Sequence, residues 1–201
     1  MPTDLDNVQK KEAYHHGDLR QALLNATRAL VEEKGPMGFS VSEAARGAGV
    51  STAAPYRHFS DRDEMLEGVA AQGMARMADA FRAALRDQTP GSLDALTAVG
   101  VGYVAFAEAE PGVFRLMFSI PKKDGSDLKA EAERGQSVVA EQMAAYLGPE
   151  VSQEDAQQRA FALWAFVHGV ASLRIDGKAE AQMDEVALTE VIRETTRRVL
   201  A

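Results

Sequence analysis

The stretch that decides the fold covers residues 40–62, SVSEAARGAGVSTAAPYRHFSDR, and has the pattern of two short helices joined by a glycine-containing turn. Ser40 followed three residues later by Glu43 is a capping-box pattern, in which each side chain bonds a free backbone N–H at a helix start. Gly47 and Gly49 favour a helix end and a chain reversal, because glycine adopts positive φ angles at little cost. We therefore predict a first short helix that ends at this turn.

The second half of the stretch has the pattern of another short helix. Ser51 is a second candidate N-cap, and the helix that it opens is expected to run through His58. Pro55 falls in the first turn of this helix, where a proline removes at most one hydrogen bond. A helix over 41–46, a tight turn and a helix over 51–58 form a helix-turn-helix, whose second helix enters the major groove of DNA.

The run over 49–66, GVSTAAPYRHFSDRDEML, resembles the DNA-recognition segment of TetR-type transcriptional regulators. In those proteins a Tyr-x-His-Phe run closes the recognition helix, and a basic residue follows at the start of the next helix. Here Tyr56, His58, Phe59 and Arg62 stand at the matching positions. The resemblance implies a DNA-binding head at the N-terminal end of the chain.

Composition excludes several classes of protein. The chain has 201 residues, of which 46% are hydrophobic and 26% charged, which suits one large helical domain or two small ones. It has no cysteine, so disulfides, thiolate metal sites and thiol nucleophiles are excluded. Residues 1–20 lack the apolar segment of a secretory signal, and no apolar run approaches the roughly 18 residues of a membrane span. We expect a cytoplasmic protein with no membrane partner.

The formal net charge of −8 at first disfavours a nucleic-acid partner, but the charge is unevenly distributed. Residues 1–60 hold seven basic and seven acidic side chains, whereas residues 61–201 hold 15 basic and 23 acidic ones. An acidic body repels phosphate and leaves the neutral end as the face that DNA can approach. Because few basic side chains are available, we also expect weak binding to non-specific DNA.

Helical periodicity continues through the rest of the chain. Apolar residues recur at three- and four-residue spacing between breaks that contain proline and glycine, and no segment alternates as a strand does. We predict an all-α fold with a mobile arm and three-helix head in residues 1–60 and a larger helical body in residues 61–201. The nine predicted helices cover residues 14–34, 41–46, 51–58, 62–87, 93–108, 113–118, 128–147, 152–175 and 183–200.

The segment over 161–175 is apolar on nearly every side, so both of its faces need to be covered. One face can pack on the body, and a second copy of the chain most simply covers the other. The helix over 183–200 has an apolar stripe of its own, and together the two helices predict a four-helix interface in a homodimer. The residues expected at this interface are Trp164, Val167, His168, Ala171, Val191 and Thr195.

The segment over 164–169, WAFVHG, resembles the Trp-x-x-x-His-Gly signature in the C-terminal effector domain of one TetR branch. For His168 two interpretations stand: a hydrogen-bonded histidine at the interface, and a ligand contact. The resemblance implies a ligand pocket in the body. Methionine and aromatic side chains suit a small apolar ligand, although the same residues can simply fill a core. The pocket candidates are Met77, Phe81, Phe106, Phe114, Met117, Phe118, Met143 and Trp164.

Roles in the head follow from side-chain chemistry. Tyr56 and His58 can donate hydrogen bonds to phosphates, which positions the protein without reading sequence. Small side chains at the start of the second helix bring its backbone close to base edges, and Arg57 can either bind guanine bidentately or contact a phosphate. Arg62 begins the next helix, where free N–H groups and the helix dipole favour a phosphate. The DNA-binding candidates are Ser42, Arg46, Ser51, Thr52, Ala53, Ala54, Tyr56, Arg57, His58 and Arg62.

These patterns favour a ligand-responsive transcriptional regulator, most simply a repressor. Its expected partners are a near-palindromic operator in double-stranded DNA and a small-molecule effector that releases the dimer. One alternative is an activator or a less specific DNA binder with the same head, and another is an all-α ligand carrier or enzyme. The chain has no nucleophile elbow and no phosphate-binding glycine loop, so we expect no catalytic residue, metal or cofactor.

Overall fold

The structure, a computed structural model, describes residues 4–178 and 184–201, with side chains from Leu19 onward. Within these ranges the chain is all-α, with no strand, as predicted. None of the helices in these ranges is apolar over a length that could cross a membrane. The elements are α1 (Asp4–Lys34), α2 (Val41–Gly47), a 3-10 helix (Pro55–Arg57), α3 (Arg62–Ala84), α4 (Leu93–Ala109), α5 (Pro111–Ser119), α6 (Asp127–Leu147), α7 (Gln153–Ile175) and α8 (Glu185–Leu200).

The predicted elements differ from the structure at two places, and one predicted boundary lies outside the described residues. The segment over 4–13, predicted as part of a mobile arm, is the beginning of α1. The predicted helix over 51–58 is wrong, since the chain forms a turn followed by a 3-10 helix. Pro55 has no N–H to donate to the carbonyl of Ser51, which disfavours an α-helical turn before it, and the 3-10 helix begins at Pro55 itself. The predicted start of the last helix at Met183 lies outside the described residues.

Side-chain caps define most of the helix starts. At six helices the N-cap side chain accepts a hydrogen bond from a backbone N–H three residues later, which satisfies one of the free donors of the first turn. α5 differs, because its N-cap residue Glu110 makes no such bond and Pro111 occupies its first position. The six capping residues are Ser40, Asp61, Ser92, Ser126, Ser152 and Asp184.

α3 belongs to both the head and the body. It packs against α1 in the head and against α4, α5 and α6 in the body. Gly68 and Gly73 permit these close approaches. A Cβ on Gly68 would lie 2.8 Å from Leu24 of α1, and one on Gly73 would lie 2.6 Å from Val113 of α5. A displacement of α5 would therefore press on α3, and a displacement of α3 would press on α1.

α7 and α8 form the outer layer of the body. α4 packs between them and the rest of the core, and Gly100 allows this contact, because a Cβ there would lie 2.8 Å from Ile192 and 3.4 Å from Val167. Each of the two helices buries one side. Large apolar residues remain exposed on the outer layer: Phe161, Trp164, Leu173, Val186 and Val191.

Candidate functional site

The turn after α2 is a Schellman motif that sets the direction of the recognition segment, residues 51–59. The N–H groups of Gly49 and Val50 each donate to an α2 carbonyl at 3.0 Å, and φ of Gly49 is +71°. Gly47 instead lies inside α2, facing Ala26 of α1, where a Cβ would approach to 3.2 Å. One glycine therefore makes the turn, and the other permits packing of the two helices.

The recognition segment is anchored on one side and exposed on the other. Backbone hydrogen bonds of 2.9 to 3.2 Å close its turns. Pro55 and Phe59 are buried, and the guanidinium of Arg20 lies 5.2 Å from the centre of the Phe59 ring. Tyr56 is 61% exposed. Of the other candidates here, Ser51, Thr52, Ala53 and Arg57 are exposed, and Ala54 and His58 are half-buried.

The start of α2 is held by a local charge pair. Glu43 accepts hydrogen bonds from Lys34 at 2.9 Å and from the backbone N–H of Ser40 at 2.8 Å, which lower the pKa of its carboxyl to about 2. The carboxylate is therefore ionised at physiological pH and neutralises Lys34. On the same helix Ser42 is half-buried and Arg46 is exposed. Arg46 is the basic side chain of α2 that faces solvent.

Arg62 is engaged within the protein. Its guanidinium donates hydrogen bonds to the backbone carbonyls of Pro36 and Phe39, the latter at 3.2 Å, and lies 4.8 Å from the centre of the Phe39 ring. Its side chain is 26% exposed. Arg62 thus fastens the loop between α1 and α2 to the start of α3. The sequence predicts a phosphate contact at this residue, but loop carbonyls accept its hydrogen bonds here.

His168 of α7 lies at the centre of an aromatic cluster in the body, formed with Tyr103, Phe114, Phe118 and Trp164. The four ring centroids lie 4.8 to 6.2 Å from that of the imidazole. The Tyr103 hydroxyl lies 2.8 Å from Nδ1 of His168. Residues from α4, α5 and α7 therefore meet at one histidine.

The hydrogen bonds in this cluster have a defined direction. We assign the Tyr103 hydroxyl as the donor to Nδ1 of His168, because the Trp164 side chain, which can only donate, lowers the pKa of Tyr103 as a hydrogen-bond donor to that hydroxyl would. Burial lowers the pKa of His168 and raises that of Tyr103, which keeps both groups neutral at pH 7. A neutral imidazole that accepts at Nδ1 carries its proton on Nε2. We assign this tautomer from the network.

A cavity of about 290 Å³ lies beside the aromatic cluster, between α5 and α7. Its walls are apolar at Phe114 and Phe118. At its rim Arg115 donates to a carboxylate oxygen of Asp176 at 2.7 Å and to the carbonyl of Ile175 at 3.1 Å. Within the lining set, the charges of Arg115 and Asp176 therefore neutralise each other, and Lys178 also binds Asp176, at 3.3 Å. The lining residues are Phe114, Arg115, Phe118, Ser119, His168, Ser172, Ile175 and Asp176.

The predicted pocket residues divide between this cavity and the core. Phe114 and Phe118 line it, and Trp164 packs against His168 at a centroid distance of 5.4 Å. Tyr103 and His168 are absent from the predicted pocket set. The four-residue spacing of Trp164 and His168 was a signal for the latter, and nothing in the local sequence marks Tyr103. The other candidates are buried, Met77, Phe81, Phe106 and Met117 in the main core and Met143 in a second cluster with Leu96 and Leu200.

The predicted interface residues do not share one exposed face. Ala171 is fully buried within its own monomer, and Val167 packs towards α4. Thr195 is half-buried, whereas Trp164 and Val191 are 44% and 39% exposed. The side of α7 that faces solvent, here called the free face, instead consists of Phe161, Ala162, Ala165, Gly169 and Leu173.

A second cavity, of about 320 Å³, lies between α1 and α3 and is lined mainly by polar residues. Gln21 and Gln72 bond each other across it at 2.8 and 3.4 Å. Arg28 and Arg76 both bind Glu110, at 3.7 Å and at 2.5 to 2.8 Å respectively. The Gln21–Gln72 pair and the contact of Arg28 with Glu110 therefore hold α1 to the rest of the chain. Among the residues whose side chains are described, no group of His, Asp and Glu could hold a metal ion.

Two family models match the chain. The model described as bacterial regulatory proteins, tetR family, matches residues 23–69, which include α2 and the recognition segment. The model described as tetracyclin repressor-like, C-terminal domain, matches residues 96–198, just over half of the 201 residues. No curated protein shows significant similarity to the chain.

Solved structures share the fold over nearly the whole chain. A protein of unknown function from Rhodococcus sp. RHA1 is 27% identical, with a TM-score of 0.79 over 94% of this chain and 98% of that one. The TetR family transcriptional regulator PfmR from Thermus thermophilus is 20% identical, with a TM-score of 0.62 over 89% and 96%. A TetR-family transcriptional regulator from Streptomyces coelicolor is 22% identical, with a TM-score of 0.62 over 90% and 99%. With a tetR-type head and the matching C-terminal body, the chain belongs to the TetR family, and it is a DNA-binding regulator rather than an enzyme.

Proposed function

We propose that the protein is a homodimeric repressor that binds a near-palindromic operator and is released by a small molecule in its body. The observation that carries this proposal is the recognition segment, which buries Pro55 and Phe59 while exposing Tyr56 and Arg57. The head would comprise residues 1–60. A DNA-binding role also supports a cytoplasmic location.

The short recognition segment favours a particular way of contacting DNA. A turn followed by a 3-10 helix inserts little side-chain length into a groove, so Thr52 and Ala53 would bring the backbone near base edges. Arg57 would read a guanine, and Tyr56 would donate to a phosphate. The remaining proposed contacts flank these groups: Ser42, Arg46, Ser51, Ala54 and His58. Arg62 would act indirectly, by fastening the loop that supports α2.

A second copy of the chain is the occupant that best fits the free face of α7. Phe161 is 65% exposed and Leu173 is 50% exposed, whereas the free-face residues between them, Ala162, Ala165 and Gly169, are small. A Cβ added to Gly169 would meet no atom within 4 Å, so a partner helix can approach closely there. Val186 and Val191 of α8 extend this apolar surface. Trp164 and Val191 would remain at the interface, whereas Ala171 and Val167 would support it from within.

Release by a ligand would pass through α5. One end of this helix carries Phe118, which lines the cavity. At the other end the carboxylate of Glu32, on α1 of the head, accepts hydrogen bonds from the N–H groups of Gly112 and Val113 at 2.9 and 2.8 Å. A ligand that moves α5 would therefore move α1. A coupling of about 1–3 kcal/mol would lower operator affinity roughly 5- to 150-fold.

The C-terminal family match includes the segment over 164–169, which supports assignment to the branch with a Trp-x-x-x-His-Gly signature. We infer that this signature serves the aromatic cluster around His168. The distance of 5.4 Å between the ring centres of Trp164 and His168 supports that inference.

Selection of binding sites from random double-stranded DNA tests the proposed function. We expect the purified dimer to enrich a near-palindromic sequence and to protect it in a short, defined footprint. Transcription from a promoter that carries this sequence should fall when the protein is added. Broad protection without sequence preference would instead favour a non-specific DNA binder, and increased transcription would favour an activator.

A further inference from the structure

We propose that the cavity between α5 and α7 binds a flat, mostly apolar and uncharged molecule through one hydrogen-bond acceptor, which the Nε2–H of His168 recognises. The inference deepens the proposed function, because this molecule would be the effector. It concerns the chemistry of the ligand, which the family assignment leaves open.

The apolar walls select a flat molecule. Phe114 is buried and stacks on the imidazole of His168 with the ring centres 5.4 Å apart, so the half-buried ring of Phe118 is the aromatic wall against which a planar ring can lie. Aromatic rings favour offset or edge-to-face contacts at such distances. The volume of about 290 Å³ matches a ligand of one or two fused rings.

The polar groups select an acceptor. The directed chain from Trp164 through Tyr103 leaves His168 with a donor at Nε2, for which the described residues supply no hydrogen-bond acceptor. The rings of Phe114 and Phe118 pack against the imidazole, and the Tyr103 hydroxyl binds its Nδ1. The imidazole therefore cannot readily turn over and present an acceptor to the cavity. A ligand carbonyl that receives this hydrogen bond would satisfy a donor that is otherwise dependent on solvent.

The charge balance disfavours an ionised ligand. Arg115 is the cation of the lining set, and its guanidinium is already bound to Asp176 and to the carbonyl of Ile175. The hydroxyl of Ser119 donates to the carbonyl of Leu116 at 3.0 Å. A carboxylate entering the cavity would therefore lose hydration without gaining an unpaired cation among the lining residues, whereas a ketone or aldehyde loses less. The nearest other cation is Lys122, which lies outside the lining set with its ammonium 5.4 Å from the centre of the Phe118 ring.

Three matched probes test the ligand class by titration calorimetry on the full-length protein without DNA. 1-Tetralone carries a carbonyl on a two-ring frame, tetralin is the same frame without the carbonyl, and naphthalene-1-carboxylate is charged. We expect tetralone to bind about threefold to tenfold more tightly than tetralin, which is the usual range for one hydrogen bond. Naphthalene-1-carboxylate should bind more weakly than tetralone.

Variants of single residues test whether His168 causes the preference for tetralone over tetralin. His168→Phe keeps a ring in the cluster but removes the donor, so the preference for tetralone over tetralin should disappear while tetralin still binds. Glu133→Gln, on the exposed side of α6, is the control and should retain the full preference. Thermal melts of each protein would show that the fold is intact. Tyr103→Phe should reduce the preference, because it frees Nδ1 and no longer fixes the tautomer.

The sole tryptophan supplies a second readout, because Trp164 lies against His168 and its fluorescence should change when a probe occupies the cavity. Equal affinity of the wild-type protein for tetralone and tetralin, or a preference that persists in His168→Phe, would overturn the proposal. Absence of any binding at millimolar probe would do so too. Operator binding measured separately tests the regulator itself, so a protein that binds DNA but no probe contradicts the ligand class alone.

Discussion

At the scale of single residues, Arg57 has the clearest expected effect on DNA recognition. It is exposed at the end of the 3-10 helix in the recognition segment, so its guanidinium can reach a base edge. Arg57→Ala should weaken operator binding by about 1–3 kcal/mol and relax preference at one base pair. Fluorescence anisotropy with the selected operator and a scrambled duplex measures both effects.

The matched control for Arg57 is Arg86→Ala, which removes an exposed arginine beyond the end of α3, far along the chain from the head. It changes net charge by the same amount, so it separates base recognition from general electrostatics. Equal losses for the two variants, on operator and scrambled DNA alike, would contradict a role for Arg57 in reading sequence.

The pH dependence of stability should report on His168. Burial lowers its pKa in the folded protein below the ordinary value near 6.5, so below that pH the unfolded chain binds the proton more readily. The stability contributed by the neutral histidine is therefore full above pH 6.5 and is lost as pH falls through the lower folded pKa. Urea unfolding at pH 7.5 and about 5.5 should show a smaller loss in His168→Phe than in wild type.

Other groups that face the cavity titrate outside this window or are paired. Tyr103 has a raised pKa, and an ion pair with Arg115 lowers the pKa of Asp176. Comparing the two proteins at each pH removes the contribution of remaining carboxylates. An identical pH slope for wild type and variant would show that His168 titrates alike in the folded and unfolded chain.

Single residues also show how far sequence alone reaches. The pattern around Ser40 and Glu43 predicts the capping box that the structure contains, because its partners are three residues apart. The role of Tyr103 could not be predicted in this way. Its partner His168 is 65 residues away, and only the packing of α4 against α7 brings the two together.

At the scale of elements, the N-terminus of α5 joins the head to the body. Its first N–H groups receive no cap from its own helix and depend on Glu32 of α1. Glu32→Ala should destabilise the protein by about 1–2 kcal/mol, as loss of other helix caps does. It should also reduce the ratio between operator dissociation constants with and without a bound probe such as 1-tetralone, because α1 no longer follows α5.

Glu33→Ala is the matched control for Glu32, since the neighbouring carboxylate is exposed and caps no helix. Urea unfolding and operator titrations should leave this variant close to wild type. If Glu32→Ala is destabilised but retains the full response to the probe, the cap is structural and the signal takes another route.

Sequence patterns predict the start of a helix well when the capping residue stands directly before that helix. Ser92 and Ser152 are the N-caps of α4 and α7, and each helix starts directly after its own cap. The conformation of the recognition segment was harder to predict, because Pro55 is compatible with a first helical turn but cannot donate to the carbonyl four residues earlier, at Ser51. The cap of α5 comes from a residue 80 positions earlier, and no local pattern contains it.

At the scale of the whole molecule, the all-α fold with an N-terminal helix-turn-helix and a helical C-terminal body could be predicted from periodicity, breaks and the motif at residues 40–62. The side of α7 that faces solvent could not be predicted in this way. A helix that is apolar on nearly every side gives no indication of which side the monomer buries, and packing against α4 decides this by burying Ala171. The same packing turns Ala165 and Gly169 outward, so the expected dimer surface lies a fraction of a turn from the predicted one.

Ala165→Glu tests that surface. The side chain is exposed in the monomer, so the substitution should leave the far-ultraviolet circular dichroism unchanged. In an isologous dimer it introduces a carboxylate on each copy within an apolar contact, and burial of unpaired like charges should shift the protein to monomer at micromolar concentration. Light scattering after size exclusion measures the mass directly.

Loss of the dimer should carry a second consequence for DNA binding. Two linked heads engage a palindrome with an effective concentration that separate heads lack, so operator affinity of the Ala165→Glu variant should fall roughly 10²- to 10⁴-fold. Affinity for a single half-site should change little, because the recognition segment is untouched. Gln136→Glu, exposed on α6, adds the same charge elsewhere and should remain dimeric. A variant at Ala165 that keeps both the dimer mass and the operator affinity would place the interface on another face.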